Sequence, residues 1–163
     1  MTTRLLRGAA LALLAASTAA LAQPQAFDLT RLATCQDSWL EWSKTDPARF
    51  ERTGQAFRLA YARDAADDVF KPKTPTTLLG FPVVGVDPQS VGMGVGFSVQ
   101  VKGAFDAVRP AFEKAVGKGT CKIQRDPGGS QACEIKVRDE GTALMATAGK
   151  DETLIACYYK YEK

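Results

Sequence analysis

The sequence predicts an α+β domain stapled by disulfides. The expected order is α-α-β-β-α-β-β-β-β: an N-terminal helical hairpin, then an antiparallel sheet of about six strands with one further helix. Three observations carry this. Helical spacing of apolar residues occurs in the first third of the chain and once more near residue 110. Strict alternation dominates elsewhere, and no strand–helix alternation is sustained, which argues against a parallel sheet. Four cysteines, Cys35, Cys121, Cys133 and Cys157, form an even set.

The first segment, "MTTRLLRGAALALLAASTAALAQPQ", reads as a secretory signal peptide. Arg4 and Arg7 precede an Ala/Leu-rich core, and Ala20-Leu21-Ala22 forms a small-x-small cleavage site before Gln23. The run is too short for a membrane helix and lacks a charged stop. No Cys stands at the cleavage point, so no lipid anchor is expected. Residues 1–22 are thus expected to be removed, leaving 23–163 as one exported domain with a single core. The bacterial periplasm is the first choice of location, and secretion the alternative.

The segment carries two of the chain's 21 basic residues and none of its 18 acidic ones. The remaining 19 and 18 nearly cancel. Near-neutral charge without a basic run argues against nucleic acid, whose binding rests on phosphate neutralisation. It argues equally against attachment to anionic lipid.

The first helix is expected where Leu32, Cys35, Trp39 and Trp42 form one stripe. Asp46-Pro47 then supplies an N-cap with Pro at the first helical position. Phe50, Gly54, Phe57 and Tyr61 line one side of the second helix. The aromatic seam between the two helices reads as core. Asp64, Asp67 and Asp68 read as its exposed end, and "KPKTPTT" (71–77) as a linker. "TLLGFPVVGV" is the first strand, with Pro82 making it an edge strand or an irregular one. Asp87-Pro88 marks the turn after it.

"SVGMGVGFSVQV" (90–101) sets glycines at 92, 94 and 96. A dinucleotide fingerprint would need a third Gly at position 97, which is Phe, and a P-loop would need a Gly-Lys-Ser/Thr ending. The alternation predicts a strand instead. Val91, Met93, Val95, Phe97, Val99 and Val101 fall on one face; Gly92, Gly94, Gly96, Ser98 and Gln100 fall on the other. Two explanations of the bare face stand. A helix or a bulky neighbour such as Trp39 lies flat on it, or a ligand or partner does.

"AFDAVRPAFEKAVGKG" is the third helix, burying Phe105, Val108, Phe112 and Val116. Pro110 is placed in or just past the first turn, and Gly117 and Gly119 at the C-terminal end. "TCKIQRDPGGSQACEIKV" is a hairpin about Pro127, which sets Cys121 opposite Cys133. Cys35 then pairs with Cys157. A last hairpin turns near Gly149–Glu152. In the final strand, Ile155, Cys157, Tyr159 and Tyr161 share one face, and Leu154, Ala156 and Tyr158 the other.

The chain contains no His. That removes Ser-His-Asp and Cys-His catalysis, haem attachment and the usual zinc sites. No cofactor or metal is expected. Asp37 and Glu41, one helical turn apart, are the best candidates for carboxylate-only hydrolysis, the last-ranked reading. The first is a non-enzymatic module binding another protein, most concretely an inhibitor or immunity protein for a cell-envelope enzyme. The build is similar to such proteins in type and setting only. A small-molecule or glycan binder is the alternative. The candidate surface comprises Gly92, Gly94, Gly96, Tyr158, Tyr159 and Tyr161, since Tyr is enriched where proteins meet partners.

Overall fold

The computed structural model describes residues 27–66, 69–88, 90–91, 94–139 and 141–159. The expected signal peptide, residues 1–22, lies outside them. Four helices and ten strands follow in the order α1 (Leu29–Ala33), α2 (Trp39–Thr45), α3 (Pro47–Ala60), β1 (Tyr61–Asp64), β2 (Val69–Pro72), β3 (Thr77–Leu78), β4 (Phe81–Asp87), β5 (Ser90–Val91), β6 (Gly94–Lys102), α4 (Phe105–Val116), β7 (Lys122–Arg125), β8 (Gln131–Lys136), β9 (Gly141–Gly149) and β10 (Glu152–Tyr159). Eight strands, rather than the six or so expected, form one antiparallel path, β1-β2-β4-β6-β10-β9-β8-β7, with β3 attached to β4 and β5 to β6; the extra strands are short and lack the alternation that marks a strand in sequence.

The helical stripe expected from Leu32 to Trp42 is broken in two. α1 ends in a Schellman motif: Cys35 N–H donates to the Leu32 carbonyl and Gln36 N–H to that of Arg31. Cys35 occupies the left-handed region at φ 60°, a position usually filled by Gly. Ser38 then starts α2 by accepting from Glu41 N–H at 3.0 Å. Ser38-x-x-Glu41 carries the sequence pattern of a capping box, and that signal marks the break. α3 starts as expected, with Asp46 capping and Pro47 at the first position.

A hairpin replaces the expected helix end and linker. Asp64 is the last residue of β1, opposite Val69 of β2, while Asp67 and Asp68 lie outside the described residues. Tyr61 stacks on Phe57 at 4.7 Å, and Phe70 meets the same ring edge-on at 5.0 Å. Tertiary packing of three aromatics, rather than local pattern, makes these short strands.

β4 is an interior strand between β2 and β6, so Pro82 marks irregularity and not an edge. It sits near the strand start, opposite Thr77 of β3, and the register with β6 shifts between Val83 and Gly85. In α4, Phe105, Val108, Phe112 and Val116 are buried as expected, and Gly117 caps at φ 67°. Pro110 is the sixth residue of this helix, beyond the first turn, where its ring nitrogen cannot donate to the Asp106 carbonyl.

The β7–β8 hairpin turns about Gly128, not Pro127. Lys122 faces Glu134 and Ile123 faces Cys133, so Cys121 bonds Cys133 diagonally. Asp126 sets the register: its carbonyl accepts from Gly129 N–H and its carboxylate from Ser130 N–H. The β9–β10 turn falls at Lys150-Asp151.

All the helices pack on one face of the sheet. Phe97, Val99, Val101, Met145, Ile155 and Cys157 meet Leu32, Phe57, Val108 and Phe112 there, all nearly or fully excluded from water. No described helix is long and apolar enough to cross a membrane.

Candidate functional site

The sheet's second face carries no helix among the described residues. Register decides which side chains point there. Gly85 and Asp87 of β4 lie opposite Gln100 and Ser98 of β6. Gly96, Ser98 and Gln100 in turn face Tyr158, Ala156 and Leu154 of β10, which face Thr142, Leu144 and Ala146 of β9. The centre is made of small residues: Gly96, Ser98 and Ala156 are buried, flanked by the half-buried Leu144, Leu154 and Tyr158.

The glycine-rich stretch is not one strand. Val91 of β5 pairs with Gly94 of β6, so the chain reverses between them and the alternation expected across 90–101 is interrupted. The physical reason is that a Gly-rich run turns as readily as it extends. Gly92 lies outside the described residues, as does Tyr161. Gly94 and Gly96 both belong to β6, on the face away from the helices. Trp39 packs on Phe97 at 6.1 Å, on the apolar side, so it does not cover the glycines.

Gly96 and Tyr158 are brought together as direct cross-strand partners. The Tyr158 phenol is pushed up by partial burial and by the nearby Glu134 carboxylate. Tyr159 is not part of this surface. Strand alternation turns it to the helical side, half-buried against the core. There burial raises its phenol, against the opposing influence of Ser38 and Arg138. Gly141, its cross-strand partner, admits this close packing: a Cβ there would stand 2.9 Å from Arg138 Cγ and 3.5 Å from the Tyr159 ring.

Both expected disulfides are formed, Cys35–Cys157 and Cys121–Cys133. They suit folding in an oxidising compartment. The candidate carboxylates are committed elsewhere. Asp37 accepts from Arg31 Nε at 2.9 Å and from Arg49 Nη2 at 3.3 Å, which holds its carboxyl below the ordinary range. Arg49 also lies 3.6 Å over the Trp42 ring. Glu41 accepts from Arg138 Nη1 at 3.1 Å. Among the described residues no three of His, Cys, Asp or Glu converge as metal ligands.

One feature escaped the sequence reading. The register shift in β4 turns Val84 outward beside Gly85, and a cleft of ≈ 420 Å³ opens there, lined by Val69, Lys71, Val84, Gln100 and Glu152. Only cross-strand register assembles these five residues, so no local pattern marks them.

Together the fold and this face define a disulfide-stapled α+β domain with one sheet face that carries no helix among the described residues. No protein-family model matches the chain, no curated protein matches it in sequence, and no solved structure matches it in fold.

Proposed function

We propose that this chain is an exported, non-enzymatic binding module that receives another protein on the open sheet face. The periplasm is the proposed location. An inhibitor or immunity protein for a cell-envelope enzyme is the most concrete form of this reading. The open face carries it: a centre of small residues, Gly96, Ser98 and Ala156, beside half-buried Leu144, Leu154 and Tyr158. Small residues at the centre leave room for a partner's side chains, and a Tyr beside them supplies a rigid anchor. Two disulfides and a helical layer on the other side hold the surface in shape, which lowers the ordering cost of association.

The test is affinity capture from periplasmic extract with the mature protein as bait, followed by mass spectrometry. A captured envelope protein must then bind the purified bait and lose binding when Leu144 is replaced by Glu. A partner that binds this variant as well as the wild type sinks the assignment of the open face. The small-ligand reading rests on the cleft beside Gly85.

A further inference from the structure

We propose that the cleft over Gly85 is a binding site for an organic cation: an ammonium or guanidinium head on a short aliphatic stem. The site stands independently of the protein-binding reading, because it rests on the cleft and the residues at its edge.

Register builds it. Lys71, Gly85 and Gln100 occupy one row across β2, β4 and β6; Lys71 follows Phe70, the partner of Val86, and Gly85 faces Gln100. Gly85 contributes no side chain, so the row has a gap at its middle strand. A Cβ at Gly85 would enter the gap 3.4 Å from Val69 Cγ2 and 3.8 Å from Gln100 Oε1. Val69 and Val84 supply the apolar walls. The volume lies within the roughly 300–1,000 Å³ typical of small-ligand sites.

Besides Lys71, the polar side chains lining the cleft are Gln100 and Glu152, and both bring acceptors to it. Gln100 Nε2 donates to Glu152 Oε2 at 2.6 Å, which leaves Gln100 Oε1 toward Gly85. The Glu152 carboxylate accepts that bond and is approached by Lys102 Nζ only at 3.7 Å. A carboxylate offers about four acceptor positions, so it retains capacity for a further donor. The cation on the other wall, Lys71, is already ion-paired. Lys71 Nζ pairs with Asp64 of β1, on the side of β2 opposite β4. Acceptors at one end and valines along the sides suit a donor-rich head on a methylene stem. Such a head can come from a free amine or from a Lys or Arg side chain, and the chemistry at Glu152 is the same.

Lys102 makes the proposal specific. A bound cation competes with its ammonium for Glu152, so removing that charge strengthens binding.

The experiment is isothermal titration of the mature, disulfide-bonded protein with agmatine, and separately with the blocked peptide acetyl-Gly-Arg-Gly-amide, at constant ionic strength. Saturable binding of either is expected. Glu152→Gln should weaken it about tenfold or more, since a charge-assisted hydrogen bond is lost. Lys102→Met should tighten it, and Gly85→Leu should abolish it. Binding of agmatine alone points to a free amine; binding of the peptide alone points to a side chain of a partner. No saturable binding of either probe overturns the proposal. So does binding that Glu152→Gln leaves unchanged, or that Lys102→Met weakens. Glu152→Gln is nearly isosteric and keeps the Gln100 contact possible, so the test survives if Gly85→Leu fails to fold.

Discussion

Arg138 donates twice to the carbonyl oxygen of Cys35, from Nε at 3.0 Å and from Nη2 at 2.6 Å, across 103 residues of chain. Its third nitrogen, Nη1, reaches Glu41. One guanidinium therefore holds the α1–α2 junction against the segment after β8, next to the Cys35–Cys157 bond.

That clamp gives the first prediction. Arg138→Ala should destabilise the domain by about 1–3 kcal/mol, because the Cys35 carbonyl loses two charge-assisted bonds. Lys at 138 should recover only part, having no planar fork. Chemical denaturation of the three proteins, with both disulfides verified by mass, checks this. Equal stability of all three would show that water replaces the guanidinium without cost.

The two disulfides should differ in worth. They span 122 and 12 residues of sequence separation. Loop-closure entropy assigns roughly 5 kcal/mol to Cys35–Cys157 and roughly 3 kcal/mol to Cys121–Cys133. Paired Cys→Ser variants, compared by urea midpoint, should rank in that order. The reverse order would place the dominant effect in native packing around Cys133.

Stability should fall at both ends of the pH scale, for separate reasons. Arg31, with Arg49, lowers the Asp37 pKa in the folded chain. Its contribution is complete above the ordinary carboxylate range and is lost as pH falls through the lowered value. Asp37→Asn should therefore flatten the acid limb of the stability curve. At the other end, burial pushes the Tyr61 phenol up to about 12. The unfolded chain ionises near pH 10. Stability is complete below that and declines as pH rises towards 12. Tyr61→Phe should remove this alkaline loss, as read by thermal melts at pH 9 to 12.

The open face should be separable from the core. Tyr158→Ala and Leu144→Glu alter half-buried side chains on the uncovered side and should each reduce binding of a captured partner. Leu59, 77 % exposed on α3 across the molecule, supplies the control. Leu59→Asp should leave both melting temperature and binding unchanged. Loss of binding in the Leu59 variant alone would move the interface to the helical layer.

The amino-acid sequence alone determined the α+β class, the disulfide pairing, the start of α3, the buried face of α4, and the two C-terminal hairpins. Each rests on local chemistry: Asp46-Pro47 caps a helix wherever it occurs, and alternation in "TLIAC" turns Ile155 and Cys157 to one side. What tertiary structure decided lies where local signals were weak or in conflict. The stripe from Leu32 to Trp42 has helical period throughout, yet Cys35 turns left-handed in the Schellman motif that ends α1, where its bond to Cys157 and the Arg138 clamp also meet. β1 and β2 carry almost no apolar alternation and exist because Phe57 packs on Tyr61 and Phe70. The glycines at 92–96 permit strand or turn equally, and pairing of Val91 with Gly94 chose a reversal. The cleft is the extreme case. Val69, Gly85, Gln100 and Glu152 come from four strands, and a register shift of one residue in β4 joins them, which sequence separation conceals.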